Sequence, residues 1–358
     1  MKWIGLIFLY YSTLWAGERF EFYNGIRPLG MGNTSTASVN DETALLINPA
    51  GLGKLRDFFG TIFDPEIDIG SSAMNIYRAK SFTNPVSVSQ VMPAVILAPG
   101  EYYYSRIQVF PSFVAKNFGI GIFAKNELAA MVDPTTNLAS LFYRDDLAVL
   151  LGYNFRFWDG RIKLGFTGKI ISRTEVDESA IDPTLASDIP TLVANNYAKH
   201  GLGIGGDVGL LMTAPWQNLP TIGIVAHDVG NTVYDKSYFT RLATANHPNV
   251  TLQDLDAGIS FQIIHQPNIR SLWTIDYKGI LTAKDEPDKT KLYHFGFELN
   301  FGDVFFMRAG YNQRYFTGGL ELSSERFQFQ VATYGEEVGT LASPKEDRRN
   351  VAKFTFRF

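Results

Sequence analysis

Five histidines, at positions 200, 227, 247, 265 and 294, are the residues of this 358-residue chain best suited to metal or proton chemistry. No two stand four apart, the spacing that sets both imidazoles on one helix face, and no H-E-x-x-H occurs. The chain has no cysteine, which removes thiolate catalysis, cysteine zinc sites and disulfide frameworks. No G-x-S-x-G elbow marks a nucleophilic serine. Gly201–Gly206, GLGIGG, matches G-x-G-x-x-G, but DVGLLMTAP follows it, a strand pattern where dinucleotide binding needs a helix start. The run Lys284–Lys289 (KDEPDK) and the pair Glu336-Glu337 read as solvated loop charge, with divalent-cation binding as the sharper alternative. These spacings predict no enzyme, no metal and no cofactor.

A different group of polar residues repeats a position rather than a motif. Arg156, Lys163, Lys169, Asp276, Lys278, His294, Glu298, Arg308 and Arg357 fall on the polar parity of alternating runs. On a closed barrel that parity faces the lumen. Two roles are open to them: pairing across neighbouring strands to hold the wall together, or lining a permeation route.

The runs that would position them have a period of two, which sends successive side chains to opposite faces. In Asp146–Ile170, Leu147, Val149, Leu151, Tyr153, Phe155 and Phe157 share one face, and Ala148, Gly152, Asn154 and Arg156 the other. After the tight-turn signal Trp158-Asp159-Gly160, Ile162, Leu164, Phe166 and Ile170 alternate with Lys163, Gly165, Thr167 and Lys169. Tyr293, Phe295, Phe297, Leu299 and Phe301 repeat the pattern, as do Phe354, Phe356 and Phe358 at the C-terminus. Strands are predicted at 57–69, 101–116, 118–131, 141–157, 160–175, 201–213, 220–231, 252–265, 269–282, 290–301, 303–312, 314–322, 325–335 and 349–358. Residues 70–99 do not alternate and read as a partly helical excursion. An even number of strands lets both ends of the chain lie at the periplasmic rim, with short turns at 158–160, 302–303 and 323–324.

Soluble sheets alternate too. The composition separates the cases: aromatics reach 14% and charged residues only 19%, a chain presenting aromatic surface to something other than water. A formal charge of −4 leaves no basic footprint for nucleic acid. Lys2, the apolar stretch Trp3–Tyr11 and the small pair Ala16-Gly17 read as a signal peptide over residues 1–16. No later run approaches the roughly 18 apolar residues of a spanning helix. The expected fold is all-β: a transmembrane antiparallel barrel of about fourteen strands over residues 56–358, in the outer membrane of a Gram-negative-type bacterium. Ahead of it, Asn40 or Asp41 can cap a short apolar helix that Asn48-Pro49 must stop.

The segment Asn24–Leu55 resembles the opening of the FadL-like and PorV-like outer-membrane proteins, through Gly30-Met31-Gly32, Asp41 and Asn48-Pro49-Ala50-Gly51-Leu52. Gly223–Asp235, Phe305–Tyr334 and the terminal Phe354–Phe358 are similar to that family's later strands. The resemblance implies a fourteen-stranded barrel with residues 17–55 as a hatch inside the lumen, its motif Asn48, Pro49, Ala50 and Gly51. Asn48 would hydrogen-bond the wall and Gly51 would let the chain turn toward the first strand. It implies passive transport of small hydrophobic molecules such as fatty acids, leaving sideways through the wall into outer-membrane lipid, with an inward Arg or Lys meeting a carboxylate. The alternative it carries is a secretion or surface-assembly component that binds exported proteins of a secretion system. An apolar lumen pocket of several hundred cubic ångströms would favour transport; a packed lumen under large ordered loops would favour the second.

Overall fold

The computed structural model describes residues 18–56, 58–236, 241, 242, 244 and 246–358; the expected signal peptide lies outside them. Wherever apolar and polar residues alternate, the chain is extended. Sixteen strand segments result: β1 (Phe59–Phe63), β2 (Glu66–Gly70), β3 (Tyr103–Val109), β4 (Ser112–Ala115), β5 (Phe118–Val132), β6 (Ala139–Phe157), β7 (Ile162–Ile181) and β8 (Lys199–Thr213). The second half comprises β9 (Thr221–His227), β10 (Asp254–Gln266), β11 (Ile269–Tyr277), β12 (Tyr293–Phe301), β13 (Phe305–Asn312), β14 (Tyr315–Ser323), β15 (Phe327–Glu337) and β16 (Glu346–Arg357). All pairings are antiparallel, and β16 pairs with β1 and β2 to close the sheet. The segments form fourteen staves, because β1 and β2 are halves of one stave and β3 and β4 are halves of the next.

Both breaks fall at a proline, which cannot donate to the ladder. Asp64-Pro65 separates β1 from β2, and Phe110-Pro111 separates β3 from β4. The two lie side by side: pairing runs to Thr61↔Ser112, stops, and resumes at Glu66↔Gln108. The buried Asp64 carboxylate takes the Phe110 N–H in place of a ladder bond and pairs with Lys353 at 3.0 Å.

The alternation sorts side chains as expected. On β6, Leu151 is 54% exposed on the outer wall while its neighbour Leu150 is fully buried inside. Short connections gather at one rim (158–161, 302–304, 324–326), and the long ones, 71–102, 182–198, 228–253 and 278–292, at the other. Two expected strands end early. The predicted 220–231 stops at His227 because Asp228, Gly230 and Asn231 take positive φ, and 269–282 stops at Tyr277 ahead of Gly279 at φ 71°. Residues 70–99 hold two helices, Ala73–Ala79 and Val88–Val95. They pack with loop 182–198 into an apolar layer over the long-loop rim, centred on Ile76, Val91, Met92, Leu141 and Leu192.

Before β1 come α1 (Ile26–Gly30), α2 (Ala44–Ile47) and a 3-10 turn, Pro49–Lys54. Asp41 Oδ1 accepts the Thr43 N–H at 3.0 Å to start α2, and Asn48, extended at φ −152°, ends it. Asn48 then caps the following turn by accepting the Ala50 N–H at 3.1 Å.

Candidate functional site

The inward parity of the wall is where the N-terminal segment makes its contacts. Glycines on successive staves clear the space. Gly152 on β6 faces Leu45 and Leu52, Gly165 on β7 faces the Pro49-Ala50 peptide, and Gly209 on β8 faces Asn48. Further round, Gly223 on β9 meets Thr36 and Ala37, Gly296 and Gly310 meet Met31 and Gly32, and Gly319 on β14 meets Gly30. Several are register partners: Gly165↔Gly209, Gly223↔Gly258 and Gly296↔Gly310. The glycines therefore form a belt around the wall, and the chain from Gly30 to Leu52 is laid along it. At Gly165 a methyl group would stand 2.2 Å from the Pro49 carbonyl carbon, so only glycine fits.

The four motif residues Asn48, Pro49, Ala50 and Gly51 are buried together there. Two expected details are corrected. Asn48 donates to the Thr36 carbonyl (2.8 Å), within the segment and not to the wall, because the wall opposite is the bare backbone of Gly209. Gly51 makes no turn toward β1. Its missing side chain leaves room for Val39 and Ala44, while the chain continues through the 3-10 turn to Lys54.

Of the nine inward candidates, most grip either this segment or a neighbouring stave. Asp276 accepts the Ser35 and Thr36 N–H groups at 2.7 and 2.8 Å. His294 Nδ1 donates to the Gly32 carbonyl (3.0 Å), and Lys278 pairs with Glu21 (3.1 Å). Glu298 accepts from Arg27 Nε and Nη2, both 3.0 Å, and from Arg308 Nε at 2.8 Å, its register partner on β13. Arg308 also pairs with Glu321. Lys169 bridges Asp207 and Asp228 at 2.8 and 2.9 Å, and Arg357 reaches Glu42 at 3.2 Å. Lys163 and Arg156 differ: Lys163 donates to the Gly160 carbonyl, and Arg156, exposed at the short-turn rim, lays its guanidinium over Gly160.

Arg173, paired with its register partner Asp146 (2.7 Å), and Lys353 sit on the same parity, which marks every second residue equally and so does not single them out in the sequence. Arg27 carried no signal, since its partner lies 271 residues away. Burial would raise Asp41, but Arg27 beside it holds its carboxyl below the usual range. Lys54, half-buried with Nζ 2.7 Å from the Ala37 carbonyl, is pulled down to about 7 by burial and by the charges of Lys163 and Arg27.

The apolar interior is packed and not open. Leu45, Leu46, Leu52 and Leu55 pack against Phe110, Val114, Phe123, Ala148, Leu150 and Ile171 of the wall. Phe110 belongs to the break between β3 and β4, so this cluster runs from the segment to the discontinuity in the wall. Two cavities flank the segment and both have charged linings. One, of about 290 Å³, lies toward the long loops among Arg19, Glu21, Lys169, His227 and Asp256. The other, of about 920 Å³, opens at the short-turn rim among Arg27, Lys54, Arg156, Lys163 and Arg308. His227 stands 3.8 and 3.6 Å from Asp207 and Asp256, but among the described residues no three His, Asp or Glu are arranged to hold a metal ion. Gly201–Gly206 lies within strand β8; Gly201, Gly203 and Gly205 make room for Thr232 and Tyr234 of the loop that folds back inside.

No protein-family model matches the sequence, and no curated protein matches it. Solved structures do match over nearly the whole chain. The CymD monoaromatic hydrocarbon channel aligns with TM-score 0.55 at 14% identity, over 96% of this chain and 98% of that one. The Ralstonia pickettii toluene transporter TbuX gives 0.52 at 14% over 96% and 99%, and a Pseudomonas aeruginosa FadL homologue 0.50 at 10% over 95% and 98%. At these identities the likeness is one of fold: a closed, fourteen-staved antiparallel barrel.

Proposed function

We propose that the chain is a passive outer-membrane conduit for small hydrophobic molecules, with residues 17–55 as the hatch that fills its lumen. The observation that carries this reading is the apolar cluster reaching from Leu45, Leu52 and Leu55 to Phe110 at the paired proline breaks. A wall whose ladder is interrupted on two adjacent staves has fewer hydrogen bonds to give up there than elsewhere. A nonpolar solute displacing part of the cluster can leave at that point into lipid, driven by its own transfer out of water. The named hydrocarbon channels of the same fold agree with this chemistry, and fatty acids and monoaromatic hydrocarbons are the candidate solutes. Diffusion alone drives the step, and no catalytic residue is invoked.

The test is uptake of radiolabelled toluene and dodecanoate by cells with and without the protein. Deletion should lower uptake, and Phe110→Asp should lower it about tenfold in protein that still migrates differently unboiled and boiled on a denaturing gel. Unchanged uptake on deletion, with no lipid retained by protein purified in mild detergent, would overturn the proposal.

Two observations favour the second reading, a surface-assembly component. The apolar interior is packed and not open. The long-loop rim is capped by an ordered apolar layer that leaves Met74, Tyr77, Ile96 and Leu97 exposed. Site-specific crosslinking from Tyr77 in cells should then capture an exported protein, and capture of none removes this reading.

A further inference from the structure

The apolar layer at the long-loop rim lies against the outside of the wall. Tyr104 on β3 points inward: its hydroxyl donates to Glu127, which pairs with Lys125, and Lys125 reaches the Glu21 carbonyl of the N-terminal segment. Its neighbours Tyr103 and Ser105 therefore point outward. Both donate to the Pro85 carbonyl of the 71–102 excursion, at 2.7 and 2.5 Å. Ser105 is the register partner of Leu128, and Leu128 of Tyr143, so the three share that outer face. All three are buried, and Leu128 and Tyr143 pack with Ile76, Val91 and Met92 of the two helices. Nearer the short-turn rim on the same face, the register row Ile122, Val149 and Ile170 is exposed, as a lipid-facing band must be. Between the two levels stand the register partners Asn126 and Asp145, with Arg241 paired to Asp145. That polar row marks the headgroup level, and the layer begins two residues, about 7 Å of strand, beyond it.

The excursion has a composition of its own. Residues 71–100 contain Arg78 and Lys80 and no Asp or Glu, in a chain whose formal charge is −4. Both cations are exposed, and neither forms an ion pair among the described residues. Helix Ala73–Ala79 turns Ala73 and Ile76 to the wall and leaves Met74, Tyr77 and Arg78, at i, i+3 and i+4, on its free side. Ile96 and Leu97, after the second helix, are exposed as well. The carboxylates of the adjoining loop, Asp182 and Asp188, are turned to the Thr184 and Thr191 N–H groups of that loop. On β2 the link to the bilayer is direct: Ile67 and Ile69 are exposed on the lipid-facing parity, and the chain enters the helix four residues later. Apolar side chains beside uncompensated cations, at the headgroup level, suit the surface of an anionic lipid layer.

We propose that residues 71–100 form a foot on the outer leaflet of the membrane, with Met74, Tyr77, Ile96 and Leu97 among the acyl chains and Arg78 and Lys80 on the headgroup phosphates. The partner is a phosphorylated lipid. The proposal rests on the barrel's place in the outer membrane and not on what crosses the lumen. It assigns to lipid the residues that the second reading offers to an exported protein.

The chain has no cysteine, so a single introduced cysteine carries a fluorescent bimane at a chosen position of the full-length protein. The test reconstitutes each labelled protein in phosphatidylcholine vesicles with a trace of phosphatidylglycerol or phosphatidylcholine bearing a nitroxide high on the acyl chain. Bimane at Tyr77→Cys, at Leu97→Cys and at Val149→Cys in the wall should be quenched, and bimane at Ala342→Cys, on an exposed loop, should not. At position 77 the phosphatidylglycerol probe should quench more strongly than the phosphatidylcholine probe. Arg78→Gln with Lys80→Gln should remove that difference, about fivefold for each charge, and Arg78→Lys should keep it. The difference should persist in excess inorganic phosphate at constant ionic strength; its loss there makes the site one for any oxyanion and overturns the lipid assignment. Quenching at 149 without quenching at 77 and 97 overturns the foot, and so does equal quenching by the two probes at 77. Crosslinking from position 77 to an exported protein, with no quenching there, gives this face to the second reading and overturns the proposal.

Discussion

Replacing Gly165 by alanine tests whether the N-terminal segment lies on the β7 wall. The new methyl carbon would stand 2.2 Å from the Pro49 carbonyl carbon, 2.3 Å from Ala50 N and 2.4 Å from the Pro49 oxygen. All three are backbone atoms, so no rotamer change relieves the contact. Carbon atoms pack at about 3.5 Å or more, and the Pro49-Ala50 peptide must withdraw by about 1.3 Å. Small-to-large changes of this kind cost about 1–3 kcal/mol. Gly168 is the control: it lies on the same strand, faces outward and has nothing within 4 Å of a built Cβ. Gly168→Ala should shift stability by less than about 0.5 kcal/mol. The assay is the urea midpoint of unfolding in detergent, with trypsin cleavage after Lys54 or Arg56 reporting release of the segment. Gly165→Ala should lower the midpoint and speed that cleavage. Equal midpoints and equal cleavage for the two variants would refute the placement.

Glu298→Gln removes the carboxylate that both Arg27 and Arg308 use, and breaking such a buried pair should cost about 3–5 kcal/mol in the same urea assay. Asp276→Ala strands the Ser35 and Thr36 N–H groups and should cost about 2–5 kcal/mol, whereas Asp276→Asn, which keeps an oxygen for them, should cost less than half as much. Lys54 gives a pH dependence. Its folded pKa, about 7, lies below the ordinary lysine value of 10.5, so between those pH values the unfolded chain binds more protons and stability rises with pH. Lys54→Met should flatten the rise in urea midpoint over that window.

The barrel was legible because its signal is repeated on every stave and each strand buries one parity. The proline breaks were visible as residues but not as breaks, since Pro65 and Pro111 sit inside runs that otherwise alternate. Their effect depends on being neighbours across the ladder. The candidate site was legible by parity alone, which names an inward residue without naming its partner. Glu298 with Arg308 follows from a hairpin, but Glu298 with Arg27 joins the two ends of the chain. The same limit hid the difference between Lys169, held by two carboxylates, and Lys163, held by none. An asparagine side chain can bond to the wall or to its own segment, and the local sequence around Asn48 does not say which. The glycine opposite, 161 positions later, decided the matter.

The glycine belt also bears on how the molecule is assembled. The residues laid along it precede every strand in the chain, yet Met31 and Gly32 rest on β12 and β13, far along it. Contacts of such sequence separation form slowly. The groove exists only once those staves have been added, and β16 then seals against β1 directly behind the segment. The leading end must therefore wait, unsheltered and apolar, until its track is built, or serve as the former around which the last staves are set. In either case a chain shortened at its C-terminus loses the berth of its own N-terminal segment.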